Sequence, residues 1–125
     1  MINKTVSYYN NADDSKSKIR YNLDYVLGMI RDDQELFQQT VRLRSISTEE
    51  EYKQAKKLLP MIAPSGIFDY RNDNPENLRE YSNVLVLDFD HFQNHHDAGE
   101  FKRNLIDNAD RLYIYALWFS PSGLG

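Results

Sequence analysis

Apolar and polar positions along the 125-residue chain fall into blocks whose period switches between two and about 3.6. Thr5 to Tyr9 has strand character, and Asn10-Asn11-Ala12-Asp13-Asp14 breaks it as a polar turn or loop. Ile19, Leu23, Val26, Leu27 and Ile30 recur at helical spacing and predict an amphipathic helix. Residues 34–44 are also expected to be helical, although Val41-Arg42-Leu43-Arg44 alternates as a short strand would. Thr48-Glu49-Glu50-Glu51 has the form of a capping box, opening a helix with Tyr52, Ala55, Leu58 and Leu59 on one side and Pro60 as its stop. Pro64-Ser65-Gly66 predicts a turn into a strand at residues 67–70. Asn72 to Glu80 is polar, with Pro75 placed to start a helical turn.

The second half reads as strand, crossover helix, strand. Val84-Leu85-Val86-Leu87-Asp88-Phe89-Asp90 has the length and branching of a buried strand. Side chains alternate on a strand, which puts Asp88 and Asp90 on one side, spaced to share a cation. Residues 97–107 predict a helix capped by Asp97, with Glu100 three residues on and Phe101, Leu105 and Ile106 facing inward. Residues 112–119 form a second apolar run, followed by Ser120-Pro121-Ser122-Gly123-Leu124-Gly125. A crossover of this length suits two parallel strands, whose carboxyl ends then share the sheet edge where ligands of open α/β sheets bind.

Composition narrows the class. The length suits one domain spanning residues 1–125. Cysteine is absent, which removes disulfides, thiolate metal sites and a cysteine nucleophile. No apolar stretch approaches the roughly 20 residues that span a bilayer, and no signal-peptide core is present, so a cytoplasmic protein without membrane contact is expected. The net charge of −4 argues against unaided grip on nucleic acid; such contact has to be local, metal-assisted or shared with another domain.

Paired carboxylates at a strand end suit Mg²⁺ or Mn²⁺, hard cations that bridge to phosphate oxygens and support nucleotidyl transfer. The plainer reading has Asp90 capping a turn and Asp88 bonding a neighbouring strand. The Ser120–Gly125 turn has hydroxyls and backbone N–H groups to offer a phosphate, or is simply a loop. Arg71 is a candidate for bidentate phosphate contact. His91, His95 and His96 lie in a polar stretch that favours solvated histidines over a metal site, with His91 of interest because it comes directly after the aspartates. No Walker loop and no Gly-x-Ser-x-Gly elbow occurs.

Leu58-Leu59-Pro60, Ser65-Gly66-Ile67-Phe68, Arg71, the Val84–Asp90 run and Phe119–Gly125, in this order and spacing, resemble the VirE N-terminal domain family of bacterial mobile elements. That family is similar to a divergent branch of the archaeo-eukaryotic primases and primase-polymerases. The resemblance covers roughly residues 50–125. It implies an α+β fold with an RRM-like, primase-type sheet, the βαβ unit lying in the C-terminal half. It also implies metal and nucleoside-triphosphate binding by Asp88 and Asp90, with Arg71 and the 120–125 turn (Ser120, Ser122 and Gly123) as second-tier phosphate contacts. Ser122-Gly123-Leu124-Gly125 matches the beginning of the superfamily's Ser-x-Gly-x-Gly-x-His motif. The histidine and a third acidic ligand would come after Gly125, so a C-terminally truncated, catalytically incomplete domain is expected. The implied activity is nucleotidyl transfer in replication of a mobile element, on a single-stranded DNA template and beside a helicase-like domain or partner. A non-catalytic nucleic-acid or helicase-binding module is the alternative, and a metal-dependent phosphoesterase a third reading.

Overall fold

In a computed structural model, residues 4–123 are described. They belong to two compact units that meet in sequence between Val86 and Leu87. The fold is α+β, with small antiparallel sheets and five α-helices among the described residues.

The first unit is organised around β1 (Thr5–Tyr9), flanked by β2 (Arg20–Asn22) and β3 (Met61–Ala63) in the order β2-β1-β3. Both neighbours are antiparallel, with Val6 opposite Tyr21 and Tyr8 opposite Ile62. Val6 to Tyr9 are all buried, as befits a central strand covered on both faces. Three helices come after β2: α1 (Leu23–Asp32), α2 (Gln34–Arg44) and α3 (Glu49–Lys56). Asn22 caps α1 through Asp24 N, and Asp33 caps α2 through Leu36 N at 2.8 Å. Leu23, Val26 and Leu43 turn inward from these helices.

A hairpin with a long connection completes the unit. β4 (Gly66–Phe68) pairs with β5 (Leu78–Tyr81) across a bulge between Ile67 and Phe68, and a 3₁₀ turn at Pro75–Asn77 leads into β5. Gly66 sits at φ +154°, where a Cβ would stand 1.9 Å from the Glu80 carbonyl oxygen. Only glycine fits there. The hairpin is tied to the central strand by the buried Ser7, whose Oγ accepts from Phe68 N at 2.9 Å and donates to Phe68 O at 3.4 Å.

The second unit contains α4 (His95–Asp107) and the single turn α5 (Ala109–Leu112). Its apolar contacts centre on Phe101, whose ring lies 4.8 Å from that of Phe89 and 5.3 Å from that of Phe92. Ala98 is buried one turn earlier.

Several expectations change. Ile19 lies ahead of the first helix, because Arg20–Asn22 is drawn into the sheet by β1. Residues 41–44, despite their alternation, finish α2. Thr48 stands at the N-cap of α3, yet its side chain makes no capping bond. Asn94, not Asp97, caps α4: its Oδ1 accepts from Asp97 N at 2.9 Å, and Asp97 takes a first-turn position favourable to the helix dipole.

The largest departure concerns the two apolar runs. Neither residues 84–90 nor residues 113–119 form a strand ladder, and residues 109–112 are helical. Tyr113 closes that turn in the left-handed conformation, at φ 54°. Composition favours a strand, but a strand exists only where N–H and C=O groups find a partner backbone. Leu85 is 82% exposed and Leu87 67%, so the expected burial is absent here. Leu124 and Gly125 of the expected phosphate turn lie outside the described residues.

Candidate functional site

Asp88 and Asp90 lie on either side of Phe89, the residue that anchors this stretch to Phe101 on α4. Both carboxylates are exposed. Asp88 makes no hydrogen bond or ion pair with the other described residues. Asp90 is engaged locally: its Oδ1 accepts from His91 N at 2.7 Å, and Oδ2 lies 3.7 Å from His91 Nε2. His91 holds a left-handed backbone, φ 64°, which turns the chain just after the pair. The plainer reading of Asp90 as a turn cap therefore has a bond behind it.

The Ser120–Gly123 turn closes through Gly123 N donating to Ser120 O at 2.9 Å, with Gly123 at φ 75°. The hydroxyls of Ser120 and Ser122 are 3.1 Å apart. Immediately before the turn, the ring of Phe119 carries the ammonium of Lys102 4.1 Å from its centroid. Phe89 and Phe119 thus pack against consecutive residues of α4, Phe101 and Lys102. Asp90 and Ser120 are each one residue beyond those two contacts, so one helix anchors both candidate segments. Phe101 was legible as an inward-facing residue, but Lys102 was not. Its signal would have been a cation next to that apolar position, able to lay its stem over a ring.

Arg71 belongs to the first unit and is turned inward. One terminal nitrogen of its guanidinium donates to Ala12 O, and the guanidinium carbon lies 5.4 Å from the Tyr9 ring centroid. Its backbone N donates to Ser15 O at 2.9 Å. The three histidines are exposed; His96 Nε2 is 3.5 Å from Glu100 Oε1, one turn along α4. Among the described residues no cluster of three or more His, Cys, Asp or Glu side chains is placed to hold a metal ion. The donor set at residues 88 and 90 is therefore two carboxylates, hard oxygen donors, of which Asp88 is unengaged by the other described residues. That fits Mg²⁺ or Mn²⁺ with water and phosphate oxygens completing the shell, and suits a softer metal poorly. Among the described residues no helix is long and apolar enough to cross a membrane.

Comparison with known proteins adds one assignment. No curated protein and no solved structure matches the chain. A family model, the BT4734-like N-terminal domain, matches residues 53–125, more than half of the chain and the part that holds every candidate site residue. The chain belongs to the BT4734-like N-terminal domain family.

Proposed function

We propose that this chain is the metal- and nucleotide-binding part of a primase-polymerase-like nucleotidyltransferase related to the VirE N-terminal domains. The observation that carries the reading is the shared anchoring of Phe89 and Phe119 on Phe101 and Lys102. It ties the aspartate pair and the serine-glycine turn to one helix, as a βαβ unit of an RRM-like sheet requires. In this reading residues 84–90 and 112–119 are the two strands of that unit.

Asp88 and Asp90 are the residues that would hold Mg²⁺ or Mn²⁺; the metal would polarise phosphate oxygens and lower the pKa of an attacking hydroxyl. Asp88 offers both oxygens, whereas Asp90 offers mainly Oδ2, its Oδ1 being held by His91 N. Ser120, Ser122 and the turn's backbone would orient a triphosphate tail through neutral donors. Two carboxylates leave a catalytic metal short of ligands, so efficient transfer is not expected of the chain by itself.

The test is titration with Mn²⁺, monitored by electron paramagnetic resonance. Saturable binding that tightens when a nucleoside triphosphate is added, and that disappears in Asp88→Asn, is the expected result. Unbound Mn²⁺ at all protein concentrations would overturn the reading.

The engaged state of Asp90 favours a second reading, in which the aspartates serve a turn and the domain is a binding module for single-stranded DNA or a helicase-like partner. Oligonucleotide binding that is indifferent to Mg²⁺ and to Asp88→Asn would select it.

A further inference from the structure

Two buried polar atoms without a hydrogen-bond partner belong to residues already in contact: Tyr9 Oη and Arg71 Nε. Tyr9 is 0% exposed, at the end of the central strand β1. Unpaired buried donors are costly and are rare unless something else satisfies them.

The segment Asn10–Ser15, a strap that follows Tyr9 directly, lies against Arg71. Ala12 N donates to Lys57 O at 2.8 Å, just past α3, and Asp14 Oδ2 accepts from Asn10 N at 3.1 Å. Arg71 holds the strap at two points, Ala12 O and Ser15 O. The strap's other bonds are internal, Asn10 to Asp14 and Asp13 and Asp14 N to Asn11 Oδ1, so it holds its own shape and is able to lift as a unit once Arg71 and Lys57 O release it.

We propose that Tyr9 and Arg71 form, beneath the 10–15 strap, a closed site for a phosphate-type oxyanion. Arg71 supplies a permanent positive charge and an unused Nε–H, and Tyr9 supplies an unused hydroxyl. A phosphate oxygen accepts from both. The bond to Ala12 O marks where the guanidinium is parked while the site is closed; an entering anion, a stronger acceptor than a peptide carbonyl, takes its place. The site deepens the assignment of Arg71 to phosphate but needs neither Asp88 nor a metal, so the two readings fail separately.

The experiment is calorimetric titration of the 125-residue chain in EDTA with inorganic phosphate, tripolyphosphate and sodium chloride as three arms. Wild type is expected to bind at least one phosphate probe saturably and not to respond to chloride. Binding confined to inorganic phosphate identifies a free anion as the source, and binding confined to tripolyphosphate identifies a nucleotide tail. Tyr9→Phe removes only the hydroxyl and is expected to weaken binding about tenfold, the worth of one hydrogen bond to a charged acceptor. It keeps the ring, so the fold and its thermal midpoint are retained. Arg71→Lys is expected to abolish binding. No saturable heat with either phosphate, or wild-type affinity in Tyr9→Phe, overturns the proposal and leaves an internal water as the occupant.

Discussion

The rings of Phe89 and Phe101 stand 4.8 Å apart and inclined at 57°, a contact that joins the candidate metal-binding segment to the middle of α4. Phe92, two residues past Asp90, meets the same ring, which makes Phe101 the hub of its unit. Phe101→Ala is expected to destabilise this unit by about 2–3 kcal/mol, less than a fully buried Phe because the ring is half-exposed. The one tryptophan of the chain, Trp118, lies in the same unit, so its fluorescence during urea unfolding is the measurement. Phe101→Leu is expected to recover about half of the loss. An unchanged midpoint in Phe101→Ala would contradict the role given to this ring.

Ser7 is buried between two strands, and its hydroxyl serves both the N–H and the C=O of Phe68. Ser7→Ala leaves the Phe68 N–H without a partner and is expected to cost about 1–3 kcal/mol. Equilibrium urea denaturation monitored by circular dichroism reads it. Ser7→Thr keeps the hydroxyl but adds a methyl to a closed site, and is expected to fall between wild type and alanine.

Gly66 gives a sharper case. Any side chain there meets the Glu80 carbonyl at 1.9 Å, and the positive φ adds strain. Gly66→Ala is expected to open the β4–β5 hairpin, with amide hydrogen exchange rising at Ile67 and Glu80 before it rises in β1. Protection equal to that of wild type at these amides would show that the bulge relaxes without loss.

Asp69 carries a pH signature. A hydrogen bond from Arg79 holds the carboxyl below its ordinary value; desolvation opposes it, and the charges of Arg79, Lys18 and Arg20 add to the lowering. A depressed carboxylate pKa contributes stability that is present above the unfolded value, about 3.9, and disappears as pH falls through the folded value. The thermal midpoint of wild type is therefore expected to drop more steeply below pH ~4 than that of Asp69→Asn. Parallel curves for the two proteins would remove Asp69 from the account. Arg79 is exposed and Asp69 partly so, which leaves the pair open to screening by salt, and the difference is expected to shrink in about 1 M NaCl.

The helices of the first unit were legible because their period is a local property: Leu23 and Val26 mark the inner face of α1, whereas Ile30, on the same spacing, is exposed, and the capping box read at Thr48 makes no capping bond. β2 and β5 were not. Arg20-Tyr21-Asn22 and Leu78-Arg79-Glu80-Tyr81 lack apolar alternation and become strands only through β1 and β4. The opposite error arose at residues 84–90, where composition is strand-like but pairing depends on a distant backbone. At the site, the residue types were visible in one dimension: two acids, two serines, an arginine. That Arg71 faces a tyrosine and a strap, and that Phe89 and Phe119 share α4, depends on contacts across the fold that spacing does not encode.

Val84-Leu85-Val86-Leu87 is also an apolar, β-prone, uncharged window, exposed at Leu85, Val86 and Leu87, of the kind that pairs with other copies, and Asp88 and Asp90 close it with charge. The two carboxylates thereby act as gatekeepers against aggregation as well as candidate ligands. Replacing both with asparagine is expected to raise thioflavin-positive assembly at concentrations where either single variant stays dispersed. Solubility alone is thus enough to hold acids at the end of this run, whether or not a metal ever sits between them.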